Sequence, residues 1–369
     1  MRKVQIALVC NSAFGTDGIS MFVMNNHRFF GHESVRYHLI YSSTHSQEDV
    51  VEVYVNEFQK NGDGVAYIPK GKGLVSYAWE LYHYLRNEKI DVLHVHGSSS
   101  SILLEMVVAK LVGVKKIVTH SHNTQSNHNF IHKILRPAVS WLADEKLACG
   151  DLAGRWMYGK KGMFVVIPNC IDTDKYRYDE NIRKEVRASL AIDDETFVIG
   201  HVGVFTEIKN QIFLLHLLKR LKDKDTRNYK ILFVGYGSLM ERVKDETARL
   251  ELTDCVMFLG NRNDVHQLMM AMDVFCLPSL YEGFPIVSVE SQASGLPSLL
   301  SENISPEVCL TDLVRLLPID KGTEAWETAL ERLSISGMKR DNYARKIFDT
   351  GYDISHSALM LEKIYAIRN

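Results

Sequence analysis

The chain has 369 residues, with 43 lysines and arginines against 45 aspartates and glutamates, a balance that gives no electrostatic reason to expect nucleic acid. Its 46% hydrophobic and 24% charged residues describe a globular chain long enough for two domains, and no window approaches the ~18 uninterrupted apolar residues of a membrane span. The start, Met1 to Cys10, is too short and strand-like for a signal peptide, so a cytosolic protein is expected.

Short apolar runs alternate with helix-length amphipathic segments: Val4 to Val9, Tyr37 to Tyr41, Val92 to Val95, Lys116 to Thr119, Glu145 to Ala148 and Phe164 to Ile167, then Phe197 to Val202, Ile231 to Val234, Val256 to Leu259, Val274 to Leu277 and Ser298 to Leu300. Strands alternating with helices imply βαβ units and parallel sheets covered on both faces. Two series imply an α/β protein with two doubly wound sheets. They separate at Pro168 to Glu180, where turn formers and charge interrupt the pattern. Ile354 to Ile367 reads as a terminal amphipathic helix. Six scattered cysteines (Cys10, Cys149, Cys170, Cys255, Cys276, Cys309), with no C-x-x-C pair, predict buried reduced thiols, with neither a disulfide framework nor a zinc site.

In chain order, the first strand runs into Asn11 to Ser20, a loop holding Gly15 and Gly18 that permits close approach to a ligand without forming a full G-x-G-x-x-G. Two His-x-His pairs, His94-Val-His96 and His120-Ser-His122, end two later strands. Residues i and i+2 share a face, but no carboxylate or cysteine cluster accompanies them at ligand spacing, so histidines hydrogen-bonded at strand ends are expected and no metal. The segment Asn129 to Leu142 sets apolar residues on one side and His132, Lys133 and Arg136 near another, which suits a core-packing helix or a membrane-surface one. Asp172-Thr-Asp174 lies among turn formers and reads as turn chemistry.

In the second half, Phe197 to Val202 leads to Gly203-Val204 and Lys209-Asn210. The run Asp273 to Leu277 leads to Ser279-Leu-Tyr-Glu282-Gly283-Phe284-Pro285-Ile286-Val287-Ser288-Val-Glu290, then to Gly295. Pro285 suits a first helical position and Gly295 a C-terminal stop. A strand, a Gly-containing loop and a helix N-terminus together offer an anion site. Glu282 and Glu290 flank it, roughly 7 Å being spanned along the axis from Pro285 to Glu290, a spacing that suits hydroxyl-bearing groups on both sides of a diphosphate.

Glu282 and Glu290, with seven residues between them and these flanks around them, resemble the Glu-x7-Glu signature of glycosyltransferase family 4, especially the bacterial exopolysaccharide and capsule enzymes. The likeness covers nearly the full chain and is strongest from about Val198 to Pro306. It implies the GT-B fold: two Rossmann-like doubly wound parallel-sheet domains facing across a cleft, residues 1–170 (acceptor) with helix 354–369 packing back on them, and residues 171–353 (donor). It implies a retaining, metal-independent and cofactor-independent hexosyltransferase. The donor would be a uridine diphosphate sugar and the acceptor a hydroxyl of an undecaprenyl-diphosphate-linked saccharide, with peripheral contact at the cytoplasmic membrane face.

Carried over by resemblance, Glu282, His122 and Lys209 are catalytic-site residues. Lys209, Arg262, Glu282, Gly283, Phe284, Pro285, Ile286, Val287, Glu290 and Gly18 bind donor, and His96, Asn123 and Gly15 bind acceptor. The family has arginine where Val204 stands, and loss of that guanidinium removes charge-assisted bonds to phosphate. A catalytically weakened binding partner, or an epimerase or phosphorylase on the same fold, is the alternative.

Overall fold

The computed structural model describes residues 2–11, 14–15, 18–43, 48–123, 129–224, 227–333 and 339–366. The chain divides into two compact units, Met1–Cys170 with Ile354–Asn369, and Ile171–Asp353.

The first unit holds β1 (Val4–Cys10), β2 (Val35–Tyr41), β3 (Gly64–Tyr67), β4 (Val92–Gly97), β5 (Lys116–Ser121), β6 (Glu145–Ala148) and β7 (Val165–Val166). They form one parallel sheet in the order β3-β2-β1-β4-β5-β6-β7. Alternate residues of β1 enter different cores: Ile6, Leu8 and Cys10 pack with Phe22, Tyr37 and Leu147, while Ala7 and Val9 pack with Leu81, Leu93 and Met106. Burial on both faces is why such central strands read as unbroken apolar runs. The helix Ile354–Tyr365 completes the first of these cores through Ala358, Leu361 and Tyr365, and its Ser357 hydroxyl donates to Asn26 Oδ1 at 2.8 Å.

The second unit holds β8 (Phe197–Val202), β9 (Tyr229–Val234), β10 (Val256–Phe258), β11 (Val274–Leu277), β12 (Ser298–Ser301) and β13 (Val314–Leu317), parallel in the order β10-β9-β8-β11-β12-β13. Asp273 anchors the centre of this sheet. Its carboxylate takes Arg183 at 2.7 Å and Arg187 at 3.3 Å and accepts from the Val198 amide at 2.7 Å, so the starts of β8 and β11 are tied to the helix Glu180–Ser189.

Both sheets reverse their winding between their two central strands, β1 and β4 in one unit and β8 and β11 in the other. At such a switch point the loops leaving the carboxyl ends diverge and leave a crevice for ligand.

Four local expectations change. The edge strands β3 and β13 carry no sequence signal because they are only half-buried. The run Phe164 to Ile167 shortens to the exposed pair Val165–Val166. Pro285 stands one place earlier than expected, as the extended N-cap (φ −72°, ψ 114°) of the helix Ile286–Ala293. Gly295 ends that helix with φ +63°, and a Cβ there would lie 2.5 Å from the Arg340 carbonyl. None of the six cysteines is in a disulfide. Cys10, Cys170 and Cys276 are buried as expected, but Cys309 is exposed because it closes the surface turn after Pro306–Val308.

Candidate active site

The switch point of the second unit is built by two laced loops. After β8 the chain turns through Gly203 and a single helical turn, Glu207–Lys209, and then Asn210 takes the left-handed conformation (φ +54°). The Asn210 side chain donates to the Pro278 carbonyl at 3.2 Å and the Leu280 amide to the Ile208 carbonyl at 2.8 Å. The loop after β11 is thereby held against the loop after β8. Gly235, after β9, has to be glycine: its φ is +132° and a Cβ there would lie 2.2 Å from the Gly203 carbonyl.

This lacing brings Lys209 Nζ to 2.7 Å from Glu282 Oε1, with both side chains mostly buried. Ser279, fully buried, donates to the same oxygen at 2.6 Å. A carboxylate held by an ammonium and a hydroxyl is fixed in direction, and the ammonium keeps two further protons for another acceptor. Next along the chain, Gly283 is exposed, with open space where a Cβ would stand. Phe284 stacks on Tyr352 with ring centroids 5.0 Å apart. The helix then starts at Ile286 with no side-chain cap. Its first amides, Ile286 and Val287 among them, lack intrahelical partners and carry the positive end of the dipole.

Glu290 lies further along this helix, partly buried, and accepts a hydrogen bond from the Tyr176 hydroxyl. Burial raises its pKa, while the Tyr176 bond and the charge of Lys175 pull the other way. Tyr176 meets His266 edge to face, with ring centroids 6.2 Å apart, and His266 feels Asp264. Asp264 pairs with Arg262 at 2.5 and 2.7 Å. Arg262 is therefore clamped, and the path from Arg262 to Glu290 is continuous. The D-x-D is occupied locally: Asp172 accepts from the Lys175 amide at 3.2 Å and Asp174 pairs with Arg177. Val204, in place of the family's arginine, is 47% exposed.

In the first unit, β4 and β5 pair in the register His94 to Val118 and His96 to His120. The two His-x-His pairs therefore lie side by side on one face of the sheet. His96 Nδ1 and His122 Nε2 are 3.0 Å apart, and Phe22 sets its ring edge to face against His120 and His122 at 4.6 and 5.3 Å. Burial pushes the His122 pKa down to about 3, so it works as a neutral imidazole. The Gly15 amide donates to the Ser20 hydroxyl at 2.9 Å. Gly18 opens the helix Gly18–Phe29, and Asn123 is exposed after β5. Gly18, expected at the donor, thus belongs to a different unit from the other residues expected there.

Sequence reasoning missed the supports of these groups. Glu105, fully buried, pairs with Lys70 at 2.9 Å and accepts from Asn11 at 2.8 Å and Tyr77 at 2.9 Å, which fixes Asn11 at the end of β1. The available signal was one carboxylate in the apolar run Leu103 to Val112. Ser279 reaches Glu282 within its own loop, three residues on, whereas Tyr176, the partner of Glu290, had no signal because it reaches its partner only through the fold.

Comparison with known proteins agrees with this fold. The family "Glycosyl transferases group 1" matches residues 182–348 and "Glycosyltransferase Family 4" matches residues 16–175. EpsF of Bacillus subtilis (strain 168), assigned as a glycosyltransferase, is 32% identical over 293 residues, 76% of each chain. The UDP-Gal:alpha-D-GlcNAc-diphosphoundecaprenol alpha-1,3-galactosyltransferase of Escherichia coli is 29% identical over 259 residues, 67% of this chain and 65% of that one. The crystal structure of Anabaena HepE in complex with UDP and glucose matches the fold with a TM-score of 0.75 at 15% identity, covering 98% of this chain and 99% of that one. Two parallel-sheet Rossmann-like units with this site define a GT-B glycosyltransferase. The chain belongs to glycosyltransferase family 4, among the enzymes of bacterial polysaccharide biosynthesis.

Proposed function

We propose that the protein is a retaining hexosyltransferase that moves a hexose from a uridine diphosphate sugar to a hydroxyl of a lipid-diphosphate-linked saccharide, without a metal at the donor diphosphate. The observation that carries this is the Lys209–Glu282 pair beside the uncapped start of the helix Ile286–Ala293. One ammonium and a set of unpaired amides supply the positive field a departing diphosphate needs. Both contacts to Glu282 fall on Oε1, so Oε2 is available to a hexose hydroxyl. Glu290 accepts from ribose hydroxyls, and the clamped Arg262 lies against the base.

In the first unit His96, Asn123, Gly15 and the neutral His122 hold the acceptor. The leaving phosphate oxygen takes the acceptor proton, so no carboxylate nucleophile is used and Glu282 orients the sugar. The uridine donor and the lipid-diphosphate acceptor are supported by those named for the Escherichia coli relative. The UDP and glucose in HepE also support the uridine donor.

Among the described residues no helix is long and apolar enough to cross a membrane. The helix Asn129–Leu142 instead exposes Phe130, Ile131, Ile134 and Trp141 beside Lys133 and Arg136. Aromatic and basic side chains together suit the headgroup region of an anionic bilayer, which supports peripheral attachment at the cytoplasmic face. Nucleotide release from uridine, guanosine and thymidine diphosphate sugars, with and without a lipid-diphosphate saccharide extract and with a chelator throughout, tests the reading. Acceptor-dependent release of UDP is expected. Binding without release under every condition would overturn it and favour the second reading, a binding subunit, which the exposed Val204 supports.

A further inference from the structure

The deepest polar feature of the first unit shares only His96 with the acceptor site proposed above. His94, His96 and His120 are each at most 1% exposed, and one nitrogen from each lies within 4.8 Å of the other two. Buried polar atoms nearly always have hydrogen-bond partners, yet Nε2 of His94 and Nε2 of His96 have none among the described residues. The opposite nitrogens of these two rings are engaged. His94 Nδ1 is 2.7 Å from the Tyr365 hydroxyl and His96 Nδ1 is 3.0 Å from His122 Nε2. Two buried imidazoles anchored through one nitrogen, with the other unpaired, in a cluster of three have what a metal-ligating histidine has, a second nitrogen held by an outer partner.

We propose that His94, His96 and His120 bind one transition-metal ion of the copper–zinc group, with Tyr365 and His122 as the outer partners. Imidazole suits both ions. A trigonal set with bonds of about 2.1 Å places its nitrogens about 3.6 Å apart, so the three rings close by roughly an ångström on binding. No carboxylate belongs to the cluster, and the cost of burying an ion grows with the square of its charge, so copper(I) binds more tightly than zinc(II). Ligation through His96 Nε2 leaves the proton on Nδ1, which donates to His122 Nε2. The ion therefore fixes the orientation of the His122 ring. A second group, His27, His32 and Asp63, is less suited, because Asp63 already holds His27 at 2.8 Å and His32 at 3.1 Å.

The test is titration of the chelator-stripped full chain with copper(I), and separately zinc(II), against a chromogenic chelator, with X-ray absorption of the loaded protein. One equivalent per chain in a nitrogen-only shell is expected. Tyr365→Phe, which removes only the hydroxyl, weakens binding 10- to 100-fold. His94→Gln with His120→Asn removes the binding, and His32→Gln leaves it unchanged. Absence of stoichiometric binding to wild type would overturn the proposal, as would equal affinity in Tyr365→Phe. If the double variant loses its native circular dichroism, the Tyr365→Phe result decides.

Discussion

Lys209 Nζ and Glu282 Oε1, 73 residues apart in sequence, meet at 2.7 Å across the switch point between β8 and β11. The contact joins the two loops that leave the central strands of the second sheet, so it sets both the field and the geometry of the site.

Lys209→Ala therefore weakens binding of the nucleotide sugar about 10- to 100-fold, the loss of one hydrogen bond to a charged group at about 1.5–3 kcal/mol. Isothermal titration checks this, and an unaltered Kd would take Lys209 out of the donor site.

Glu282→Ala acts on turnover more than on binding. With Oε1 held by Lys209 and Ser279, its role is to orient the reacting sugar, and kcat falls about 10²-fold or more while KM stays within a few fold. Steady-state kinetics in which KM carries the loss would make Glu282 a simple binding group.

Glu290→Gln raises the stability of the free protein at neutral pH and weakens donor binding. Burial raises the Glu290 pKa above its ordinary 4.5, so the native state holds the proton longer than the unfolded chain. That contribution is full below pH 4.5 and is lost as pH rises through the elevated native value. Urea midpoints at pH 7.5 with paired titrations of UDP read both effects, and a destabilised variant that binds normally contradicts them.

Acid destabilises the fold through His38 and His201. Burial lowers each to about 4, so the unfolded chain takes up protons first. Stability is complete above about 6.5 and is lost as pH falls toward 4, each group contributing at most about 1.4 kcal/mol per pH unit. Urea midpoints between pH 4.5 and 7.5 show this slope, and His201→Asn makes it shallower by about one proton.

Val204→Arg tightens UDP binding several-fold, because the position is solvent-exposed in the loop after β8 and a guanidinium there adds charge-assisted bonds to phosphate. Weaker or equal binding in calorimetry means that the loop does not face the diphosphate.

Much of this molecule follows from local pattern. The strands β1, β4, β8 and β9 are mostly apolar because both faces of each are covered. The helix at Ile286 is bounded by Pro285 and Gly295, whose backbone preferences act without any neighbour. Residue order alone placed Glu282 and Glu290 on either side of a helix start and separated the chain near Pro168. Those features depend on side-chain periodicity and φ preference, which are properties of a few consecutive residues.

Tertiary structure decided what lies between distant residues. The edge strands β3 and β13 exist only because a neighbouring strand offers hydrogen bonds. Tyr176 and Glu105 gained roles from partners that no spacing rule connects to them. The two His-x-His pairs, 26 residues apart and each ordinary by itself, become one buried cluster because parallel pairing sets His96 opposite His120. Strand register is settled by packing of the whole sheet, and so the sequence named the four histidines but only the fold put them together.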